Sequence, residues 1–454
     1  MKRKFLATLL CSVMVISMVG CGSETTSTSA SSDMTSSTSE TATTPDATAS
    51  DTATNETQDA GNGDKTTITL AVWNSGALEN FQNAANEFNS RQDKIDFVVE
   101  METGDYSQYL GAKVASDDLP DMYFLSPYAQ VQEFAKNGRI LDLSDQGFVD
   151  KIYDSSKASA TYDGKVYAYP MCNEMLGVYY NKDIFDNVGI DKVPTTIDEL
   201  KEDCKTLQDN GITPFASIYK DSWTLNHLWS CLQGATVGDE KQWLTDMNSG
   251  TGSFNTENSG EIFDFCDLLK ENSGSNYMDS DSTAGFNAFA SGDAAMLVSG
   301  EFSLLNAASI NPDLNAGLFA TPVTNNADDA KLDVDVGVTI VVNKESENID
   351  AALEVLDFIS DNSDTNGWMH YACDSLGAAP ATMEYTASNN KYQYYQDYLD
   401  YMDSGMNRDW IYQQLTSGAS NLIGTDMQGY FADTTDRQGT LDKLDSDFAD
   451  LLEE

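Results

Sequence analysis

Residues 168–185 constrain the fold more than any other part of the chain; they read AYPMCNEMLGVYYNKDIF. Two strand-forming runs flank the polar pair Asn173-Glu174, and Pro170 breaks the first run. Polar side chains between strands are either buried and paired or exposed at a site. We interpret this stretch as a crossing between two lobes that leaves Glu174 facing the cleft between them.

Length and charge limit the class of protein. At 454 residues, the chain is too long for one compact core and suits two lobes plus tails. Its formal net charge of -48 repels nucleic-acid phosphates, so no nucleic-acid partner is expected. The same charge argues against an anionic ligand, although a local positive patch would override it.

The N-terminus has the pattern of an export signal. A basic start, KRK, precedes an apolar run, Phe5–Val19, that is too short to span a bilayer as a stable anchor. The run ends at Gly20-Cys21, which resembles a bacterial lipobox. We therefore expect residues 1–20 to be a lipoprotein signal peptide and Cys21 to be acylated. The alternative is an ordinary secretory signal with a chance cysteine.

The segment after Cys21 has a composition that cannot fold. Residues 22–64 are rich in Ser and Thr and contain no aromatic residue, Lys or Arg. Such a segment cannot bury enough apolar surface to form a core. We predict that residues 21–64 are a lipidated cysteine and a disordered tether that holds the folded part away from the membrane.

The cysteine and histidine content predicts neither a metal site nor a cofactor. An odd set of cysteines, with no CxxC spacing, remains after Cys21, so at least one thiol is free or paired between chains. Zinc is not expected, since only His227 and His370 are available and the spacing is wrong. The acidic DSDS at 279–282 falls short of a calcium loop. Which of the thiols pair stays open: Cys172, Cys204, Cys231, Cys266, Cys373.

From Thr66 onward, strand patterns alternate with helix patterns. Ile68–Trp73, Ile95–Glu100 and Met122–Leu125 are predicted strands, each followed by a predicted helix. This alternation predicts a parallel-type α/β sheet. Loops at the carboxyl ends of such strands gather at the ligand crevice. The candidate ligand contacts on this basis are Trp73, Asn74, Ser126 and Tyr128.

Three later segments also carry predictions. Val334–Val342 has the pattern of a strand with Gly337 inside it, and Leu376–Pro380 that of a flexible joint. Tyr385–Tyr401 is predicted as a Tyr-rich helix whose tyrosines pack rather than bind.

Several motifs occur in a familiar order. ITLAVWN and LPDMYFLSPYAQVQEFAKNGRILDLSD open the series, and GKVYAYPMCNEMLGVYYNKDIFDNVGI with VPTTIDELKEDCKTLQDNGITPF is its most specific part. FNAFASGDAAMLVSGEF and VGVTIVVNKESENIDAALEVLDFIS follow. In this order, behind a lipobox, they make the chain resemble the family 1 extracellular solute-binding proteins, the maltose-binding-like lipoproteins of ABC sugar importers. The likeness covers about residues 66–454.

The resemblance implies an α/β, two-lobed, type II periplasmic-binding-protein-like fold with a hinge that the chain crosses three times. The crossings are expected near Asn173–Met175, Asp333–Gly337 and Leu376–Ala381. The N-terminal lobe would then be residues 65–174 plus 335–376, and the C-terminal lobe residues 175–334 plus 377–454.

A sugar site needs aromatic rings for stacking and carboxylates or amides for hydrogen bonds. By resemblance, Glu174 takes the place of a ligand-contacting carboxylate, and Phe302 that of an aromatic, often Trp, that stacks on a sugar ring. Trp223, in a predicted loop, is a further candidate stacker, while Asn173 and Glu301 are candidate polar contacts. The alternatives are a hinge carboxylate satisfied by backbone donors and aromatic rings that only pack in the core.

The resemblance further implies a function without chemistry. The tethered protein would capture a carbohydrate, expected to be an oligosaccharide, and deliver it to an ABC transporter permease; a monomer is expected and no catalytic residue. Two alternatives remain. One is a secreted carbohydrate-active enzyme, which would need two carboxylates, although 73 acidic residues make any such pair uninformative. The other is a sugar-sensing or adhesion lipoprotein on the same fold.

Overall fold

A computed structural model describes residues 65–73, 77–102, 106–305, 307–383 and 392–453. The predicted signal peptide, the lipidation site Cys21, the tether up to residue 64 and the candidate contact Asn74 lie outside these described residues.

The strands are, in chain order, β1 Thr66–Val72, β2 Ile95–Met101, β3 Met122–Leu125, β4 Thr161–Tyr162, β5 Lys165–Val166, β6 Tyr169–Asn181, β7 Thr213–Phe215, β8 Ala294–Gly300, β9 Ala316–Phe319, β10 Leu332–Val342, β11 Ala379–Pro380 and β12 Asn407–Arg408.

The α-helices are α1 Leu78–Arg91, α2 Tyr106–Ser116, α3 Ala129–Lys136, α4 Asp154–Lys157, α5 Lys182–Val188, α6 Ile197–Asp209, α7 Ser222–Thr236, α8 Glu240–Asn248, α9 Ser259–Asn272, α10 Ser282–Ser291, α11 Ala307–Ile310, α12 Ile349–Ser360, α13 Trp368–Leu376, α14 Gln393–Ser404, α15 Ala419–Phe431 and α16 Arg437–Glu453. Short 3-10 turns occur at Val149–Lys151, Ala158–Ala160, Glu301–Leu304, Ala327–Asp329 and Tyr412–Gln414.

The predicted alternation of strands and helices is confirmed in the first part of the chain. Helix α1 buries Phe81, Ala84, Ala85 and Phe88, a spacing that places them on one helical face. That face covers β1 and β2, whose residues pair in parallel from Thr66 opposite Ile95 onward. Apolar burial thus holds the helix to a parallel sheet.

The large sheet is mixed rather than purely parallel. Its strand order is β2-β1-β3-β10-β6-β8-β7, with β9 and β11 paired to β6 and β12 paired to β10. Strands β1–β3 and the pair β7–β8 run parallel, as predicted. Strand β10 is antiparallel to β3 and β6, however, and β6 is antiparallel to β8 and β9. The prediction of a parallel-type sheet is therefore wrong at its centre, where two long strands run in opposite directions.

The stretch around Asn173-Glu174 is one continuous strand rather than two runs divided at Pro170. Strand β6 pairs with β10 over its first half and with β8 and β9 over its second. Pro170 is tolerated because the pairing with β10 shifts register between Val336 and Thr339, and a bulge can accommodate a residue that cannot donate a hydrogen bond. Strand β6 therefore joins two groups of strands.

The three predicted crossing segments are neighbours in the sheet. Asn173 on β6 pairs with Val336 on β10 and with Ala379 on β11. At the predicted flexible joint, α13 ends, Gly377 adopts a left-handed φ of 71°, and β11 follows. Of the predicted helix Tyr385–Tyr401, the part from Gln393 onward is helical, and residues 384–391 lie outside the described residues.

A buried ion pair lies on the β10–β12 side of the sheet. Arg408 Nε donates to Asp333 Oδ2 over 3.2 Å, and both side chains are almost fully buried. The same guanidinium donates to the carbonyl of Lys331. Burial raises the pKa of Asp333, while the Arg408 charge opposes that shift. The Arg408 charge therefore offsets part of the cost of burying the Asp333 carboxylate.

The cysteines of the described residues are free and buried: Cys172, Cys204, Cys231, Cys266 and Cys373. In the same part of the chain, no helix combines the length and the apolar character that crossing a bilayer requires.

Candidate ligand-binding site

A cleft of about 680 Å³ opens beside the two long strands, β6 and β10. Residues at the end of β1, after β3 and on α2 and α3 line one side, and residues on α7, α10, α15 and the loops after β8 and β12 line the other. The principal lining residues are Trp73, Tyr106, Ser107, Ser126, Gln130, Glu174, Ser222, Trp223, Asn226, His227, Ser282, Thr283, Phe286, Asn287, Phe302, Gly337, Trp410, Tyr412, Ser420 and Asn421.

The carboxyl group of Glu174 lies at the floor of this cleft. The residue is only 7% exposed, and burial raises its pKa to about 7. Gly337 lies directly beneath it, and a Cβ added at Gly337 would overlap the carboxyl atoms of Glu174. Glycine is therefore required here for close approach. No described residue hydrogen-bonds to the Glu174 carboxyl, which leaves its oxygens available to a ligand.

A second carboxyl group lies behind the first. Glu301 is fully buried and accepts a 2.7 Å hydrogen bond from the backbone N–H of Met175 through Oε2. Burial and the negative charge of Glu174 raise the pKa of Glu301 well above its usual value. Two close carboxyl groups in a low-dielectric site do not both ionise easily. Glu301 does not line the cleft, so of this pair only Glu174 is presented there.

Aromatic rings form one wall of the cleft. The ring centroids of Trp223 and Phe302 are 5.9 Å apart, and each lies 6.5 Å from that of Phe286. Trp223 is 40% exposed, so part of its ring is free to stack on a ligand. It lies in the first turn of α7, not in a loop as predicted. The ring of Phe302 covers Gly300, where any Cβ would collide with it.

The aromatic wall continues into a polar corner. Tyr412 Oη and His227 Nε2 are 3.2 Å apart, and the rings of Trp410 and Tyr412 stack at 5.8 Å. Burial lowers the pKa of His227 to about 4, so the imidazole is neutral at neutral pH. Among the described residues, three buried atoms of the lining find no hydrogen-bond partner: Asn226 Oδ1, His227 Nδ1 and Trp410 Nε1. Buried polar atoms usually have partners, so these atoms are suited to bind polar ligand groups.

The end of β1 lines the opposite side of the cleft. The Trp73 ring packs edge-on against Tyr106 and Phe124, at 5.1 and 5.2 Å. Tyr106 Oη donates to the carbonyls of Ala71 and Phe124, which fixes its ring. Trp73 is therefore a rigid platform facing the cleft.

The cleft is nearly free of charge. Among its described lining residues there is no Lys, Arg or Asp, and Glu174 is the one acidic side chain. No group of three or more His, Cys, Asp or Glu side chains in the described residues is arranged to hold a metal ion. The lining therefore suits an uncharged ligand that has both apolar faces and hydroxyl groups.

The structure places five candidate residues in the cleft lining: Trp73, Ser126, Glu174, Trp223 and Phe302. Tyr128, Asn173 and Glu301 are not among the lining residues. Tyr128 bonds to Asp335. Asn173 accepts from Ser156 Oγ and donates to the carbonyl of Pro380. The polar atoms of Tyr128 and Asn173 are thus engaged within the protein, whereas Glu301 has Oε2 bonded to Met175 and Oε1 without a partner among the described residues.

Sequence reasoning did not select Asn226, His227, Trp410 or Tyr412. The first two follow Trp223 at helical spacing on α7, and this periodicity was a usable signal. Trp410 and Tyr412 alternate in a short segment after β12. Only the long-range fold brings them beside His227.

The mixed α/β sheet and the cleft beside its two long strands define the class of two-lobed, type II ligand-binding folds. Residues 74–365 match the family model described as bacterial extracellular solute-binding protein. That match spans more than half of the chain, and the chain therefore belongs to this family. The family membership and fold class predicted from the sequence are confirmed.

Individual relatives differ in how much they share with the chain. The multiple sugar-binding protein of Streptococcus mutans is 30% identical over 27% of this chain, and the match spans only 29% of that protein. The melibiose/raffinose/stachyose-binding protein MelE of Bacillus subtilis is 22% identical over 86% of this chain and 92% of its own length. The solved structure of RafE in complex with raffinose superposes with a TM-score of 0.75 at 22% identity, over 86% of this chain and all of that one.

Proposed function

We propose that this protein binds an oligosaccharide in the cleft and delivers it to the permease of an ABC transporter. The observation that carries the proposal is that one cleft brings together three features. They are the Glu174 carboxyl, the aromatic wall, and buried polar atoms that have no hydrogen-bond partner among the described residues. Sugars combine apolar ring faces with hydroxyl groups, and this lining offers a partner for each. The names of relatives that bind sugars support the same ligand class.

In the proposed mechanism the two lobes close over the bound saccharide, and no covalent bond is formed or broken. We place the N-terminal lobe at residues 65–174 plus 335–376 and the C-terminal lobe at residues 175–334 plus 377–454. The sheet pairings around Asn173 support a hinge there. A saccharide that contacts Trp73 on one lobe and Trp223 on the other binds the closed state more tightly than the open state, and so stabilises the closed state. The closed form then docks on the permease.

A carbohydrate-active enzyme is the less favoured alternative. A glycosidase of the usual kind needs two carboxyl groups that flank the bond to be cleaved. Here the second carboxyl, Glu301, is fully buried behind the first and bonded to a backbone N–H. This arrangement supports a binding role for Glu174.

We further propose that the protein is exported, is anchored to the outer face of the membrane through acylated Cys21, and acts as a monomer. A Cys21→Ala variant expressed in the native host tests the anchor. Release of the variant into the medium supports it, while unchanged membrane retention contradicts it.

The function is tested by thermal-shift and titration measurements over mono- and oligosaccharides, with chromatography of the incubated sugars. Stabilisation without products supports a binder, whereas hydrolysis products indicate an enzyme. The double variant Glu174→Ala/Phe302→Ala removes the central carboxyl and a stacking ring, and should abolish binding while the fold persists. Glu354→Gln, an exposed change on α12, is the matched control and should bind like the wild type.

A further inference from the structure

A second cavity adjoins the cleft. It has a volume of about 260 Å³ and lies between helices α2 and α3 on one side and the start of α15 on the other. We call it the side compartment. It shares Ser107, Gln130, Ser420 and Asn421 with the lining of the main cleft. The two cavities therefore adjoin at these shared lining residues.

The shared lining presents polar groups. Gln130 Oε1 accepts a 2.9 Å hydrogen bond from the backbone N–H of Ser126, and since an N–H can only donate, this fixes which end of the amide is oxygen. The Nε2 group of Gln130 has no protein partner among the described residues. The Asn421 amide is likewise without one there. A chain of hydroxyl-bearing rings passing this point would meet ready donors and acceptors.

The side compartment is lined by both apolar and polar residues and, unlike the main cleft, its lining also includes the charged residues Glu133 and Arg139. Phe134 on α3 and Leu110 on α2 supply apolar surface, while Asn137 supplies an amide. Pockets for small molecules typically measure about 300–1,000 Å³. The main cleft falls in that range and the side compartment below it, so the latter suits an extension better than an independent site.

We propose that the side compartment is an additional subsite that takes the terminal unit of an oligosaccharide longer than the main cleft alone accommodates. This inference rests on the proposed function and specifies its ligand as an extended chain. Since α2 and α3 belong to one proposed lobe and α15 to the other, a longer chain bridges the lobes at a second place. Affinity should therefore rise with chain length.

Gly111 offers a way to close the compartment without disturbing the cleft. It lies on α2 in the compartment lining, and a Cβ added there meets no atom within 4 Å. The variant Gly111→Leu fills this space, and Leu also favours a helix more than Gly does. Gly260→Leu on α9 is the matched control, because that glycine also faces open space and lies away from both cavities.

The experiment is titration calorimetry with raffinose, stachyose and verbascose, with maltotriose to maltopentaose, and with the chitin tri- to pentasaccharides. Wild type and Gly260→Leu should bind a longer member of one series about tenfold more tightly than its trisaccharide, as two extra hydrogen bonds would give. Gly111→Leu should keep the trisaccharide affinity and lose that gain. Asn137→Ala, a second variant that removes only the amide, should reduce the gain severalfold.

The outcomes separate this inference from the proposed function. Affinity that does not rise with length in the wild type, or a gain that survives in both Gly111→Leu and Asn137→Ala, overturns the subsite and leaves saccharide binding intact. A wild-type protein that binds no saccharide of any series overturns the proposed function, and the subsite with it.

Discussion

The hydroxyl of Tyr128 donates a 2.8 Å hydrogen bond to Asp335 Oδ1. The other oxygen of this carboxyl accepts from the backbone N–H of Trp410 at 3.2 Å. Asp335 is on β10 and buried. One carboxyl therefore connects the residue before α3 with the segment that carries the polar corner of the cleft.

The variant Tyr128→Phe tests whether this contact is structural. It removes the hydroxyl but keeps the ring, so it should lower the free energy of unfolding by about 1–2 kcal/mol. Saccharide affinity should stay within about twofold, because Tyr128 does not line the cleft. Urea unfolding and titration calorimetry measure the two quantities. A large loss of affinity at unchanged stability would instead favour the sequence-based prediction of Tyr128 as a ligand contact.

The variant Gly337→Ala tests the position of the Glu174 carboxyl. Its Cβ would overlap that carboxyl, so the side chain must move from the cleft floor. Saccharide affinity should fall at least about tenfold, since hydrogen bonds to the carboxyl are lost. Gly147→Ala is the control, because an added Cβ there meets nothing within 4 Å. Equal affinities for the two variants would contradict the proposed role of Glu174.

Glu174 and His227 should give stability opposite dependences on pH. The pKa of Glu174 is raised from 4.5 to about 7. Between these pH values the folded state binds more protons at this group than the unfolded state does, so stability falls as pH rises. The pKa of His227 is lowered from 6.5 to about 4. Between these pH values the folded state binds fewer protons at this group than the unfolded state does, so stability rises with pH. Each slope is at most about 1.4 kcal/mol per pH unit.

Single variants separate these two contributions in urea unfolding between pH 4 and 8. The stability of Glu174→Gln relative to wild type should increase from pH 4.5 to 7. For His227→Gln, the same difference should decrease from pH 4 to 6.5. Differences that do not change with pH would show that these groups titrate normally in the folded protein.

The buried ion pair between Arg408 and Asp333 should be costly to break. Arg408→Met leaves the Asp333 carboxylate uncompensated, and the free energy of unfolding should drop by about 3–5 kcal/mol. Lys165→Met, which removes an exposed partner of Asp142, should leave the free energy of unfolding close to that of the wild type. Guanidinium unfolding curves compare the two, and similar losses would argue against the buried pair.

Local patterns in the sequence predicted the first strands and helices well. Strand β3 begins and ends where expected, and β1 and β2 differ by only one or two residues at their ends. The alternating apolar residues of β2 and the continuous apolar run of β3 both match the buried positions of those strands. Strand β6 was divided at Pro170 in the prediction because proline normally interrupts a strand. A register shift in its partner, invisible in the sequence, accommodates it.

The site was predictable only in part. Glu174 was selected by resemblance to a known family, whereas Trp223 was selected as a tryptophan in a predicted loop and in fact lies in the first turn of α7. The neutral His227 and its partner Tyr412 are 185 positions apart, and no local periodicity indicates such a pair. Tyr128 was selected because it follows the end of a strand. That rule locates a loop but does not say whether a side chain in the loop faces the ligand or bonds within the protein.

The buried thiols have a practical consequence. Because the cysteines of the described residues lie in the interior and form no disulfide, the folded protein should react slowly with maleimide dyes. A Cys21→Ala background carrying one new surface cysteine on each side of the cleft would then accept a donor and an acceptor fluorophore selectively. Energy transfer between the two dyes would report the distance between them as sugar is added. The chain is therefore suited to conversion into a fluorescent sugar sensor.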